Sequence, residues 1–227
     1  MRGFPMAEEI AMRLSGFLLL FIMIAIVLSV QFGKKIWGDL DSDARLQSIN
    51  NDPNKFKKSV VIAFIHNFSI IAFVIILFIA FSSYSLILGI VWITFRTWES
   101  LVLSYNEKNR WGLLNIAKQY SVTKGAEKIS LSDKALAILK TEDSKFKSAQ
   151  ILFGIGTLAY SILFVTYGIS PIIGWFGIVA SVLYGFGNGI ELITPNLKVP
   201  RYIGSGMIWL FELVLGGWLL FFPPTIL

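Results

Sequence analysis

The sequence predicts an all-α, polytopic membrane helix bundle: six transmembrane helices, with short interfacial helices in the two longer loops. Three observations carry that expectation. Apolar runs of about twenty residues recur, the length that crosses roughly 30 Å of hydrocarbon. Mean hydropathy is +0.69 and 55% of residues are apolar, above what soluble globules show. Most charged residues collect between the runs rather than inside them. With most of its 227 residues assigned to lipid, the chain is expected to form a single membrane domain, residues 1–227.

The first span, residues 10–32, exceeds the 7–15-residue apolar core of a signal peptide and is followed by Lys34-Lys35 as a stop signal. The second, residues 59–81, is preceded by Asp52-Pro53, an N-cap acid with Pro at the first helical position. A short Ser82-Ser83 turn leads to the third, residues 84–105. The fourth, residues 146–167, has Thr141 as an expected cap, with Glu142 and Asp143 in its first turn. Pro171 opens the fifth, residues 171–194. The sixth, residues 201–222, stops at Pro223-Pro224.

Only residues 33–58 and 106–145 have appreciable length outside the spans. In the first, Leu46 and Ile49 are the apolar positions of a short helix opened by Ser42 or Asp43. In the second, Trp111, Leu114, Ala117 and Tyr120 recur at helical spacing, as in a helix lying in the interface. Ser132-Asp133 is the expected cap of another short helix.

Charge gives an orientation. The odd loops carry Lys34, Lys35, Arg45, Lys55, Lys57 and Lys58, then nine Lys and Arg from Lys108 to Lys147, then Lys198 and Arg201. The opposite side carries only Arg2 and Arg13. The positive-inside rule then puts the odd loops in the cytoplasm of a multi-pass cell-membrane protein. The pI near 9.5 reflects these juxtamembrane residues, which suit anionic lipid rather than nucleic acid.

Against that background the charges inside the spans stand out. Arg96, Glu99, Glu191 and Glu212 lie within apolar runs, where each costs roughly 2.5–3.5 kcal/mol unless it pairs, faces a cavity or works. Tyr184, Asn188 and Glu191 follow i, i+4, i+7 on one stripe of the fifth span, and His66 lies within the second. Counted from span centres, all seven fall in the half of the bilayer beneath the lysine-rich loops. Arg96 suits a carboxylate partner, and Glu99, Glu191 or Glu212 can supply it. A glutamate left over is expected to be neutral, able to donate a hydrogen bond or exchange a proton. The competing account is interhelical glue, worth about 0.6 kcal/mol per hydrogen bond on average.

Several chemistries have no basis in the residues. Cysteine is absent, so there is no disulfide, thiolate nucleophile or iron–sulfur cluster. One histidine excludes His-only metal sites, and no metal or other cofactor is implied. Asp39-Leu-Asp41-Ser-Asp43 starts like a calcium loop, but Ala44 stands where Gly is wanted and Asn50 where Glu is wanted. Gly185, Gly187 and Gly189 follow no strand and spell no dinucleotide fingerprint. At such density within a span they signal close helix packing, as do Gly154 with Gly156 and Gly216 with Gly217.

FRTWES at 95–100, FGIGTLAYSILF at 153–164, LYGFGNGIELITPN at 183–196 and the final WLFELVLGGWLLF together resemble the domain of unknown function 4386 family of prokaryotic membrane proteins. The resemblance implies a six-helix bundle and assigns no activity. Family members usually carry basic residues in the turn between the fourth and fifth spans, which implies a cytoplasmic N-terminus, opposite to the charge count. Here that turn, residues 168–171, is uncharged.

The expected function is a non-enzymatic accessory or structural component of a membrane complex, with the bilayer and other membrane subunits as partners. The alternative is a binder or transporter of a small molecule, ion or proton through His66, Arg96, Glu99, Tyr184, Asn188, Glu191 and Glu212. An intramembrane enzyme using His66 and a glutamate is disfavoured because no nucleophile is recognisable.

Overall fold

The structure, a computed structural model, describes residues 5–33 and 41–224; Arg2, Lys34, Lys35 and Asp39 lie outside the described residues. Those described form seven helices and no strand: α1 (Pro5–Phe32), α2 (Ser42–Asn51), α3 (Pro53–Phe81), α4 (Leu86–Val122), α5 (Gly125–Thr166), α6 (Pro171–Ile193) and α7 (Val199–Phe221). All but α2 are long and apolar enough to cross a membrane. The expected six-span class therefore holds.

The expected helices of the second long loop are present but continuous with their neighbouring spans. At 1.5 Å per residue, the 37 residues of α4 and the 42 of α5 extend about 55 and 63 Å, twice the hydrocarbon thickness. Their apolar parts fill the spans, and residues 106–122 and 125–146 continue outside them. The expected caps at Ser132 and Thr141 are overridden: Thr141 lies inside α5, where Oγ1 donates to Ala137 O at 2.9 Å. The chain breaks instead at Gly125, whose φ of +67° suits a residue without Cβ. Elsewhere local signals hold. Asp41 caps α2 by accepting from the Asp43 and Ala44 amides, and Asp52 Oδ1 accepts from Lys55 N at 2.9 Å.

The chain divides into two compact units. The first comprises Met1–Met23, Phe68–Leu101 and Lys147–Leu227. Small residues let its helices approach closely. A Cβ on Gly16 of α1 would lie 2.5 Å from Leu220 N and 2.6 Å from Gly216 O of α7. One on Gly154 of α5 would lie 2.9 Å from Gly185 Cα of α6. Indole and phenol groups tie α3 to its neighbours, Trp92 Nε1 donating to Val74 O at 3.1 Å and Tyr160 Oη to Leu77 O. Helix α6 runs unbroken through Gly185, Gly187 and Gly189, so the glycine cluster serves packing and does not interrupt the helix.

The second unit comprises Ile24–Asn67 and Val102–Phe146. Its core joins Leu46 and Ile49 of α2, Phe56 and Val60 of α3, Leu113, Ala117 and Tyr120 of α4, and Leu131, Ala135 and Leu139 of α5. The expected stripe on residues 111–120 is this core face, with Trp111 left at its exposed margin. Ser29 and Ser59 bond each other's carbonyl oxygens reciprocally at 3.1 and 3.0 Å, joining α1 to α3.

A buried charged group also lies here, outside the spans. Arg110 Nη1 donates to both Glu107 oxygens at 2.8 and 2.7 Å, and Asn106 Nδ2 donates to Glu142 O at 3.1 Å. Burial pushes Glu142 up to about 7; Arg110 opposes this, Glu107 adds to it, and Arg45 opposes it. Between about pH 4.5 and 7 the folded unit thus holds a proton that an unfolded chain has released. Stability from this group is full below pH 4.5, falls as pH rises to 7, and is level above. Glu142→Gln is expected to remove that fall. Hydrogen-exchange protection of amides 131–139, corrected for intrinsic rates at each pH, measures it; an unchanged slope would assign the titration elsewhere.

Candidate functional site

Two charge centres form in the first unit. The inner one starts from Arg96 on α4. Its Nη1 lies 2.7 Å from Glu99 Oε2, one turn along, and both side chains are almost wholly buried, at 2% and 3% exposure. Helical i, i+3 spacing delivers this pair locally. The guanidinium also stands over two rings, with Cζ 4.2 Å from the Phe153 ring centre and 5.4 Å from that of Trp92. Gly156 of α5 makes room for its stem, since a Cβ there would meet Arg96 Cγ at 2.8 Å. Tyr184 of α6 packs edge-on against Phe153, the centroids 5.7 Å apart.

Glu212 of α7 completes this centre. It lines, with Arg96, Thr157, Tyr160 and Ser161, a small cavity of about 10 Å³, room for a single water. The charges acting on Glu212 are Arg96 and Glu99, and no ion pair joins it among the described residues. Arg96 Nε is buried and donates no hydrogen bond there. One guanidinium thus faces two carboxyl groups.

The second centre gathers on Glu191 of α6. Lys147 Nζ reaches its Oε1 at 3.1 Å from α5, and Arg201 Nε reaches its Oε2 at 2.8 Å from α7. Both cations were expected among the loop charges. They belong to helices, Lys147 buried and Arg201 half-buried. Of the residues singled out in the sequence, Arg96, Glu99, Tyr184 and Glu212 come together, and Glu191 heads the separate centre. Asn188 donates Nδ2 to Tyr184 O of its own helix at 2.8 Å. His66 belongs to the second unit, where Nδ1 lies 2.9 Å from Asn67 Oδ1. Sequence reasoning missed Lys147 and Arg201 as partners of Glu191, along with the Arg45, Glu107, Arg110 and Glu142 group. Only the i, i+3 spacing of Glu107 and Arg110 offered a signal.

A third feature is an open groove of about 280 Å³ between α5 and α6, floored by Gly154, Gly185 and Gly189 and walled by Ile151, Ile155, Leu158, Val182 and Phe186. Ser181 also lines it, its hydroxyl buried and without a hydrogen-bond partner among the described residues. Among the described residues no three of His, Cys, Asp and Glu gather as a metal ligand set would require.

Six apolar helices with ion pairs turned inward define a multi-pass integral membrane protein. The chain belongs to the family described as Domain of unknown function (DUF4386), whose model matches residues 14–222. No curated protein and no solved structure matches it.

Proposed function

We propose that this protein is a non-enzymatic accessory component of a membrane complex, seating a partner's transmembrane helix in the α5–α6 groove. The observation that carries this reading is the open apolar groove with a glycine floor between α5 and α6. A glycine floor favours the close approach of a second helix of small residues. The inner centre supports the same reading, because its water-sized cavity leaves no room for a substrate.

Gly189 gives the test. A Cβ there meets only Ile151 Cδ1, at 3.8 Å, an ordinary contact. Gly189→Leu should therefore fill the groove without parting α5 from α6. A photoreactive residue replacing Phe186 is expected to give one defined adduct, mapped to an apolar helix of another membrane protein. Gly189→Leu should reduce that adduct at least tenfold at unchanged melting temperature. Adducts to lipid alone, or to a second copy of this chain, would sink the proposal.

A second reading, carriage of an ion or proton through the inner centre, is favoured by Glu212, the carboxyl of that centre without an ion pair among the described residues. The size of the cavity restricts it to water and protons.

A further inference from the structure

We infer that Glu212 binds a proton and exchanges it through one water held between its carboxyl group and Arg96 Nε. The inference rests on the second reading above and gives it a ligand. Three observations converge on it. The cavity matches one water and is lined by both Arg96 and Glu212. Arg96 Nε is a buried donor whose hydrogen has no acceptor among the described residues, and a water oxygen supplies one. The single guanidinium is already set against Glu99 at 2.7 Å, so a second carboxylate would stand as a net negative charge in a medium that does not solvate it.

The groups facing Glu212 leave the proton no better place. On α4 these are Arg96 and Glu99, which pair with each other at 2.7 Å. On α6 Tyr184 lies in the field of Glu212, Glu99, Arg201 and Arg96. On α5 Tyr160 Oη donates to Leu77 O and Ser161 Oγ donates to Thr157 O at 2.8 Å. Both hydroxyl protons are thus engaged, while their oxygens keep lone pairs for the water. In the exchange step the carboxyl O–H bond breaks as its proton joins the water oxygen. Another proton of that water passes to the carboxylate, so neither charge nor atoms accumulate.

Infrared difference spectroscopy of the full chain in lipid vesicles tests this at about pH 6, in a Glu142→Gln background that removes the buried carboxyl outside the spans that also holds a proton there. The expected result is a carboxylic-acid carbonyl band above the amide I envelope, shifted down in D2O and lost in Glu212→Gln. Glu212→Asp should keep the band at a moved frequency, which covers the case in which the Gln variant fails to fold. Absence of the band overturns the inference. So does its loss in Glu99→Gln instead, or a band that D2O leaves unmoved. Proton uptake by the vesicles is a separate measurement, so a result against carriage leaves the bound proton standing. Loss of the band likewise leaves partner docking untouched.

Discussion

Arg96→Met is expected to destabilise the protein by about 3–5 kcal/mol, the usual cost of orphaning one member of a buried ion pair. Methionine keeps most of the apolar stem that packs beside Gly156 and Phe153, so the loss should come mainly from the charge. What remains is Glu99, at 3% exposure, with no cation facing it. The double variant Arg96→Met/Glu99→Gln removes both charges and should recover at least half of the loss. Isosteric neutral replacements of buried pairs are often neutral or better. The sign of the pH effect follows: a carboxylate stripped of its guanidinium is relieved by protonation, so the single variant should be most impaired at alkaline pH and approach the double variant in acid. Thermal melting in a mild detergent at both pH extremes measures all three chains. Equal losses in the single and double variants would mean that Arg96 contributes packing alone.

What the sequence made legible follows from how locally each feature is determined. Span number and position depend on the length of apolar runs, which lipid reads along the chain, and the helices fall close to residues 59–81 and 171–194 as expected. The Arg96–Glu99 pair was legible because one helix turn brings the two together. Glu191 was recognised as a charge needing a partner, but its partners come from α5 and α7. Lys147 and Arg201 sit at the ends of apolar runs, where composition alone assigns them to loops. The false caps at Ser132 and Thr141 fail for a related reason. Ser132 Oγ bonds Asp43 across the second unit and Thr141 bonds its own helix, so tertiary contact and helix continuity win over a local cap. Glycines read as packing in bulk resolve into distinct tasks: Gly154 meets another glycine, Gly156 admits Arg96, and Gly187 admits the backbone of Arg201.

The sharpest test of that resolution uses two glycines on one helix, Gly204 and Gly206. A Cβ on Gly204 would stand 2.6 Å from both Tyr184 N and Tyr184 Cα, whereas one on Gly206 meets nothing within 4 Å. Helix propensity is the same at both positions, and removing a glycine from a helix interior gains roughly 0.5–1 kcal/mol. Gly206→Ala should show that gain as a raised melting temperature. At Gly204 the obstacle is backbone, which cannot rotate aside as a side chain would, so α6 and α7 must part by several tenths of an ångström. Overpacking of this kind costs typically 1–3 kcal/mol. Gly204→Ala should therefore melt lower than the parent while its neighbour melts higher, a separation of about 1–3 kcal/mol between chemically identical changes. The shift also acts where the functional reading lies. Tyr184 sits in the field of the inner centre, α6 carries Glu191, and α7 carries both Glu212 and Arg201. Parting these helices should lengthen the Arg201–Glu191 contact of 2.8 Å and open the cavity beside Glu212 to further water. If both variants stabilise alike, the close approach of α6 and α7 is not what positions the charges.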